Sequence, residues 1–260
     1  RNMGTRPNRI GLICCEDAEK WQGYEKMFEE LLSEDGDEWV ILRAFEGQLP
    51  SLEEAIDTYT AFVVTGSHYS VTEGLEWMLK LQTFLRELLA AGEAGRWDGR
   101  VLAGCFGHQL LAVALGGKVG RNPSSRFVLQ AEKLRFSPSA KAALGLSADR
   151  DQRILESHSD QVLELPTCAT RIACSDTAVV ESFAVGKHAL SLQSHPELTV
   201  ELTTALILPA IKAKGIFSDD EEAAALASFR EELTDKEMLS AMRSFLHGRV
   251  DLSSVKAVEE

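Results

Sequence analysis

The stretch "RVLAGCFGHQLLAVALGGKVG", residues 100–120, decides how this chain reads. After Arg100 it runs apolar as a strand does, reaches Gly104 and Cys105, and takes helical spacing from Phe106 until Gly116 and Gly117 end it. A strand that turns at once into a helix holds the residue at the turn in a strained conformation above the sheet. The positions two residues before and after that turn must be small, and here they are Ala103 and Gly107. Cys105 then stands at a helix N-terminus, where the backbone partial charge favours thiolate. The N–H of Phe106 points where an oxyanion would form. The competing reading is an inert packing cysteine in a βα unit.

Upstream, short β-type runs alternate with helical patterns. "RIGLICC" (9–15), "EWVILRAF" (38–45) and "AFVVTGS" (61–67) read as strands, "AEKWQGYEKMFEELLS" as a helix, and 73–92 as an amphipathic helix stopping at Gly92. Nearly all-apolar strands alternating with helices predict a parallel sheet covered on both faces. Past Arg121 the pattern shifts to short strands with tight turns, "VGKH" being a hairpin, and these predict an antiparallel extension of the sheet. From Val200 the chain reads as helical: one helix through Lys212, then two more. The expectation is a single α/β domain over 1–260, with a core of about 9–213 and a helical tail of about 214–250.

Charge and composition exclude several classes. A chain of 260 residues, 45% hydrophobic, buries a full core. A formal charge of −13 argues against nucleic-acid and anionic-membrane partners. The longest apolar run, Val101–Leu115, is interrupted by His108 and Gln109 and falls short of the roughly 18 residues of a membrane span. The opening "RNMGTRPNRIGLICC" lacks the apolar core of a secretory signal. Five cysteines, two of them adjacent, fit reduced thiols better than a disulfide framework, so the expected compartment is the cytoplasm. No metal-ligand spacing and no phosphate loop occurs, and neither metal nor cofactor is expected.

"LQSHPELT" (192–199) supplies the second chemical element. A thiol attacking an amide needs one imidazole to take its proton and later protonate the leaving amine. The imidazole in turn needs an acceptor on its other nitrogen. His195 and Glu197 share one side if the backbone stays extended, and Pro196 restricts His195 to extended conformations.

Taken in order, "TGS", "GCFGHQ" and "HPE" resemble the class I glutamine amidotransferase family. The resemblance implies a flavodoxin-like fold and a triad of Cys105 as nucleophile, His195 as base and Glu197 as orienting carboxylate. It also implies oxyanion donors at the N–H groups of Ser67 and Phe106, beside Gly66. Gln109 would meet the α-amino acid end of the substrate, and Ser157 and His158 of "SHSD" would hold its glutamyl group. Two departures stand out: Ala103 where the family has glycine, and "TGSHYS" in place of a Gly-Gly-Pro loop. A finer resemblance, through "GGKVGR", "VESFAVGKHALSLQSHPE" and "FLHGR", is to plant-type γ-glutamyl peptidases. It implies hydrolysis of the γ-glutamyl amide of glutathione or its conjugates through a thioester. The alternatives are a glutaminase subunit feeding a separate synthetase, and an inactive binding homologue, which the intact triad disfavours.

Other residues divide between packing and chemistry. Cys14 and Cys15 read as packing residues in the first strand, and Cys168 and Cys174 as structural residues flanking a turn between strands. His108 reads as a packing residue. His158 either lines the site or is a hydrogen-bonded strand histidine, and His68 either touches the leaving group or lies exposed in its loop.

Overall fold

The computed structural model describes residues 8–259; residues 1–7 and 260, included in the single-domain expectation, lie outside the described residues. In the first half, β1 (Arg9–Cys14), α1 (Tyr24–Leu32), β2 (Glu38–Arg43), α2 (Leu52–Thr58), β3 (Ala61–Val64), α3 (Glu76–Glu93), β4 (Arg100–Gly104) and α4 (Phe106–Ala114) alternate as the apolar pattern dictates. Successive strand residues point to opposite faces. Ala61, Val63 and Leu102 accordingly join one buried cluster, while Phe62, Val64, Val101 and Ala103 join the other. Both faces of the central strands are therefore covered.

The second half adds β5 (Lys118–Arg121), β6 (Val128–Phe136), α5 (Pro138–Leu144), β7 (Gln152–His158), β8 (Asp160–Glu164), β9 (Thr170–Cys174), β10 (Ser182–Val185) and β11 (Ala189–Leu192). The main sheet has the order β2-β1-β3-β4-β11-β10-β9-β6-β7. Its first five strands run parallel and the rest pair antiparallel. Two strands depart from the expected extension. β11 lies parallel to β4, because the β10–β11 hairpin inserts its second strand beside β4. β8 leaves the main sheet after Ser159 and pairs with β5 in a separate two-stranded sheet. Cys168 precedes β9 and Cys174 is its last residue, so a strand and not a turn separates them.

The first helical run is broken: a 3-10 turn at Glu19–Trp21 precedes Gly23, whose φ of 87° resets the chain before α1. α3 passes through Gly92 and ends one residue later. The stretch from Val200 is likewise composite, with α6 (Val200–Leu202), a π-helical turn (Thr203–Ile207) and α7 (Leu208–Ala213). α8 (Asp219–Ser228) starts on a capping box of Ser218 and Glu221, and α9 (Asp235–Leu246) follows. α9 buries Met238, Met242 and Phe245 in the cluster that holds Ile10 and Leu102, so it covers the sheet instead of trailing from it. Among the described residues no helix is long and apolar enough to cross a membrane.

Candidate active site

β4 and β11 are adjacent and parallel, with Gly104 opposite Leu192. Cys105 and His195 therefore emerge from the same, C-terminal, end of the sheet, where open α/β sheets bind ligands. The Cys105 N–H donates to the Leu192 carbonyl at 2.8 Å, tying the turn to the neighbouring strand. Cys105 has φ 46° and ψ −104°, a conformation that a non-glycine residue holds only under constraint from its surroundings. The constraint is visible at Gly107: a Cβ there would lie 2.6 Å from the Val64 carbonyl oxygen, so α4 seats against β3 only with glycine. Gly104 has open space around it, and the methyl of Ala103 is wholly buried. The departure at 103 thus costs the turn nothing visible.

The Cys105 thiol donates to the Ser157 carbonyl at 3.9 Å and receives the Gln193 side-chain amide at 3.5 Å. His195 Nδ1 lies 2.7 Å from Glu197 Oε1, and both residues are buried. The contact does not arise from an extended backbone. Leu198 N–H donates to the His195 carbonyl at 3.2 Å, closing a turn with Pro196 at its second position, a place that proline favours. A second donor, the Tyr24 hydroxyl, reaches the same Glu197 oxygen at 2.7 Å.

Electrostatics follow from this arrangement. Burial alone would lower the pKa of His195, yet the Cys105 sulfur and the Glu197 carboxylate, by charge and hydrogen bonding, hold it well above the usual imidazole value. Burial alone would raise Glu197, but the His195 charge and the bonds from His195 and Tyr24 keep it below the ordinary carboxyl range. Burial, followed by the nearby Glu197 charge, pushes the Tyr24 phenol up and keeps it a neutral donor.

Gly66 and Ser67 come from the loop after β3. Thr65 fixes that loop by accepting the Cys15 N–H at 3.0 Å and donating to the Gly66 carbonyl at 2.9 Å. A Cβ on Gly66 would stand 3.3 Å from both His195 Cε1 and the Tyr24 hydroxyl, and 3.7 Å from the Cys105 Cβ, so the loop passes directly over these three side chains. Phe106 opens α4, where the backbone N–H has no intrahelical acceptor, while its ring is buried against Trp77. Gln109 lines the cavity, but its amide NH2 donates to the Asp160 carbonyl at 2.7 Å and to Gln193 at 3.0 Å. Only its oxygen is left for a ligand.

His158 both lines the cavity and is a buried strand histidine; Nδ1 lies 3.1 Å from the Asp160 carbonyl, and burial lowers its pKa to about 4. His108 is wholly buried on Ser191 and Phe183, with a pKa lowered to about 3 by desolvation. His68 lines the cavity and binds Glu16 through Nδ1 at 2.6 Å and its backbone N–H at 2.8 Å. Glu16, Asp17 and His68 also form the one grouping of metal-type ligands among the described residues. The hydrogen bonds already made by Glu16 mark it as a clasp on the loop after β3. Behind Ser157, Glu132, Glu156 and Glu181 are buried together. Burial first, and one another's charge second, push Glu156 well above the carboxyl range. Burial chiefly carries Glu181 to about 8. Glu181 Oε1 accepts the Ser175 hydroxyl at 2.6 Å, while Glu181 Oε2 and both Glu156 oxygens have no hydrogen-bond partner among the described residues, so burial favours the neutral, protonated form of each.

These groups surround a cavity of about 330 Å³, at the small end of the roughly 300–1,000 Å³ of small-molecule sites. Cys105, His195, Gly66, Ser67, Gln109, Ser157 and His158 all line it. Tyr24 and Gln193 were not legible as site residues. Gln193 carried a signal, two positions before His195; Tyr24 carried none.

Residues 87–210 match the family model described as Glutamine amidotransferase class-I. "Gamma-glutamyl peptidase 5" of Arabidopsis thaliana is 30% identical over 229 residues, covering 87% of this chain and 88% of that protein. "Gamma-glutamyl peptidase 3" of the same plant is 31% identical over 194 residues, 71% of this chain and 73% of the relative. A crystal structure of a glutamine amidotransferase from Thermotoga maritima superposes with a TM-score of 0.69 at 21% identity, covering 94% of this chain and 98% of that one.

Proposed function

Since the chain belongs to the class I glutamine amidotransferase family, among relatives named γ-glutamyl peptidases, we propose that it is a cysteine-nucleophile hydrolase of γ-glutamyl amide bonds. Glutathione or its conjugates are the substrates in this reading. The observation that carries it is the strained Cys105 beside a His195–Glu197 pair at 2.7 Å, opening on one small cavity.

In this mechanism the Cys105 sulfur attacks the γ-carbonyl carbon of the substrate, its proton having passed to His195. Glu197 stabilises the imidazolium, as a buried carboxylate does in such triads. The N–H groups of Ser67 and Phe106 receive the developing oxyanion, a contribution of about 2.7–4 kcal/mol per donor where it has been measured. His195 then hands its proton to the leaving amine, the C–N bond breaks, and a γ-glutamyl thioester remains on Cys105. Water attacks the thioester with His195 as base, releasing glutamate and restoring the thiol. Gln109, Ser157 and His158 frame the glutamyl half, and the five free cysteines suit a reducing compartment such as the cytoplasm.

The second reading is glutamine hydrolysis for a synthetase partner, favoured by the family model that matches 87–210. Both run through the same thioester and differ only in the amine released. Release of glutamate from glutathione, a glutathione S-conjugate and glutamine, measured on the isolated chain, separates them. The peptide substrates are expected to exceed glutamine in kcat/KM by about tenfold, since contacts beyond the scissile bond add transition-state binding. Glutamine as the better substrate would overturn the choice.

A further inference from the structure

The residues that line the cavity fall into two groups, its two arms, by what they pack against. On one side Arg121 pairs in register with Asp160, next to the Gln109–Asp160 bond, and this is the glutamyl side of the reading above. On the other, the His195 side, Tyr24, Leu198, Ile207 and Ile211 belong to one buried cluster and Trp21 packs against it. His195 delivers its proton toward this arm, so the leaving amine departs along it. Two exposed cations also line the cavity: Lys20, beside Trp21 with Nζ 5.6 Å from the ring centroid, and Lys214, just past the end of α7.

The acids and the cations of this lining differ in their close partners. The acids that line the cavity are engaged: Glu16 with His68, Glu73 with the Ser70 N–H at 2.8 Å, and Asp160 with the Ser70 hydroxyl at 2.5 Å. Among the described residues neither Lys20 nor Lys214 has a carboxylate at ion-pair distance. Partial burial lowers the Lys20 pKa, the Glu16 charge opposes that, and the Lys214 charge, a smaller influence, adds to it. Two cations without a close ion-pair partner, lining one cavity beside an apolar wall, are an arrangement that an anion entering the cavity would relieve.

We propose that Lys20 and Lys214 form a carboxylate subsite for the leaving half of the substrate, with the Trp21, Leu198, Ile207 and Ile211 wall carrying the chain between that carboxylate and the scissile bond. The enzyme then prefers γ-glutamyl compounds whose amine half ends in a carboxylate. This rests on the γ-glutamyl hydrolase reading and adds to it the residues that choose among leaving groups. Ammonia, with neither an apolar stem nor a negative charge, gains nothing from this arm.

The test compares γ-glutamyl-leucine with γ-glutamyl-leucinamide, which differ only in the terminal charge, using the full chain at low ionic strength. The expected ratio of kcat/KM, acid over amide, is about three- to tenfold, the scale of a partly exposed charge pair or two. It is expected to shrink as salt rises and to fall toward one in Lys20→Gln/Lys214→Gln. Lys20→Arg/Lys214→Arg, which keeps both charges, is expected to retain it and also serves as the folding control. A ratio near one in the wild type, or one unchanged in the glutamine double variant, overturns the subsite while leaving the hydrolase reading intact. Failure to cleave either dipeptide, with Cys105-dependent ammonia release from glutamine, overturns both.

Discussion

Tyr24 donates its phenolic proton to the same Glu197 oxygen that faces His195 Nδ1, each at 2.7 Å. In the proposed mechanism Tyr24 is thus a positioning residue: it fixes the carboxylate that fixes the imidazole. Tyr24→Phe removes a hydrogen bond to a buried charge, a loss of about 1.5–3 kcal/mol in stability. The expected kinetic effect is a kcat lowered about two- to tenfold with a smaller change in KM. A raised KM at unchanged kcat would mean that the hydroxyl serves the substrate instead. Glu197→Gln is expected to lower kcat more than Tyr24→Phe and less than His195→Ala, because an amide still accepts from Nδ1 but brings no charge to the imidazolium.

Cys105→Ala is expected to cost roughly 10³ or more in turnover, since triad members act as a unit. It also carries a spectroscopic consequence. The Cys105 sulfur is the largest influence raising the His195 pKa, and burial opposes it. Without the sulfur the imidazole pKa is expected to fall, and the histidine nitrogen shifts in an NMR titration report this directly. An unmoved His195 titration in the folded variant would sever the thiol from the imidazole.

Brief treatment with iodoacetamide at neutral pH is expected to label Cys105 ahead of Cys14 and Cys15. Burial pushes both of those thiols up and keeps them protonated. Cys168 is exposed, but desolvation also raises its pKa and no imidazole stands beside it to take the proton. Peptide mapping ranks the sites, and a first label on Cys14 or Cys15 contradicts the assignment.

The buried carboxyls give the fold a pH dependence of definite sign. Glu181 binds its proton up to about pH 8 in the folded chain, whereas an unfolded glutamate releases it near 4.3. Its contribution to stability is therefore full below about pH 4.3 and is lost as the pH rises through 8. Urea unfolding of the wild type is expected to show a midpoint that falls from pH 5 to pH 8. Glu181→Gln, which has no proton to release, should flatten that fall; Glu156, raised in the same direction, preserves part of it. An equally steep fall in the variant would remove Glu181 from the account.

The βα unit at Cys105 and the β10–β11 hairpin were legible because each is local, set by periodicity and turn residues within some twenty positions. The His195–Glu197 contact was legible as a pair but not in its geometry, since a turn at Pro196 achieves what extended backbone was expected to do. Tyr24 reaches Glu197 across 173 positions, and no spacing rule signals a contact of that length. The departure of β8 was equally hidden. A continuous β-type run from 153 to 165 does not say which neighbour each half will find.

The π-helical turn at Thr203–Ile207 sets the phase of everything after it. Such a turn holds one residue more than the α-helical path and is frequent at functional sites. That extra residue offsets the phase of the far end, where Ile211 and Lys214 line the cavity, from that of the Thr199-capped start. Deleting a single residue within 203–207 would anneal the segment into regular helix. It would also swing the far end by about 100°, one residue's worth of helical rotation, turning Ile211 and Lys214 away from the cavity while Cys105, His195 and Glu197 stayed where they are.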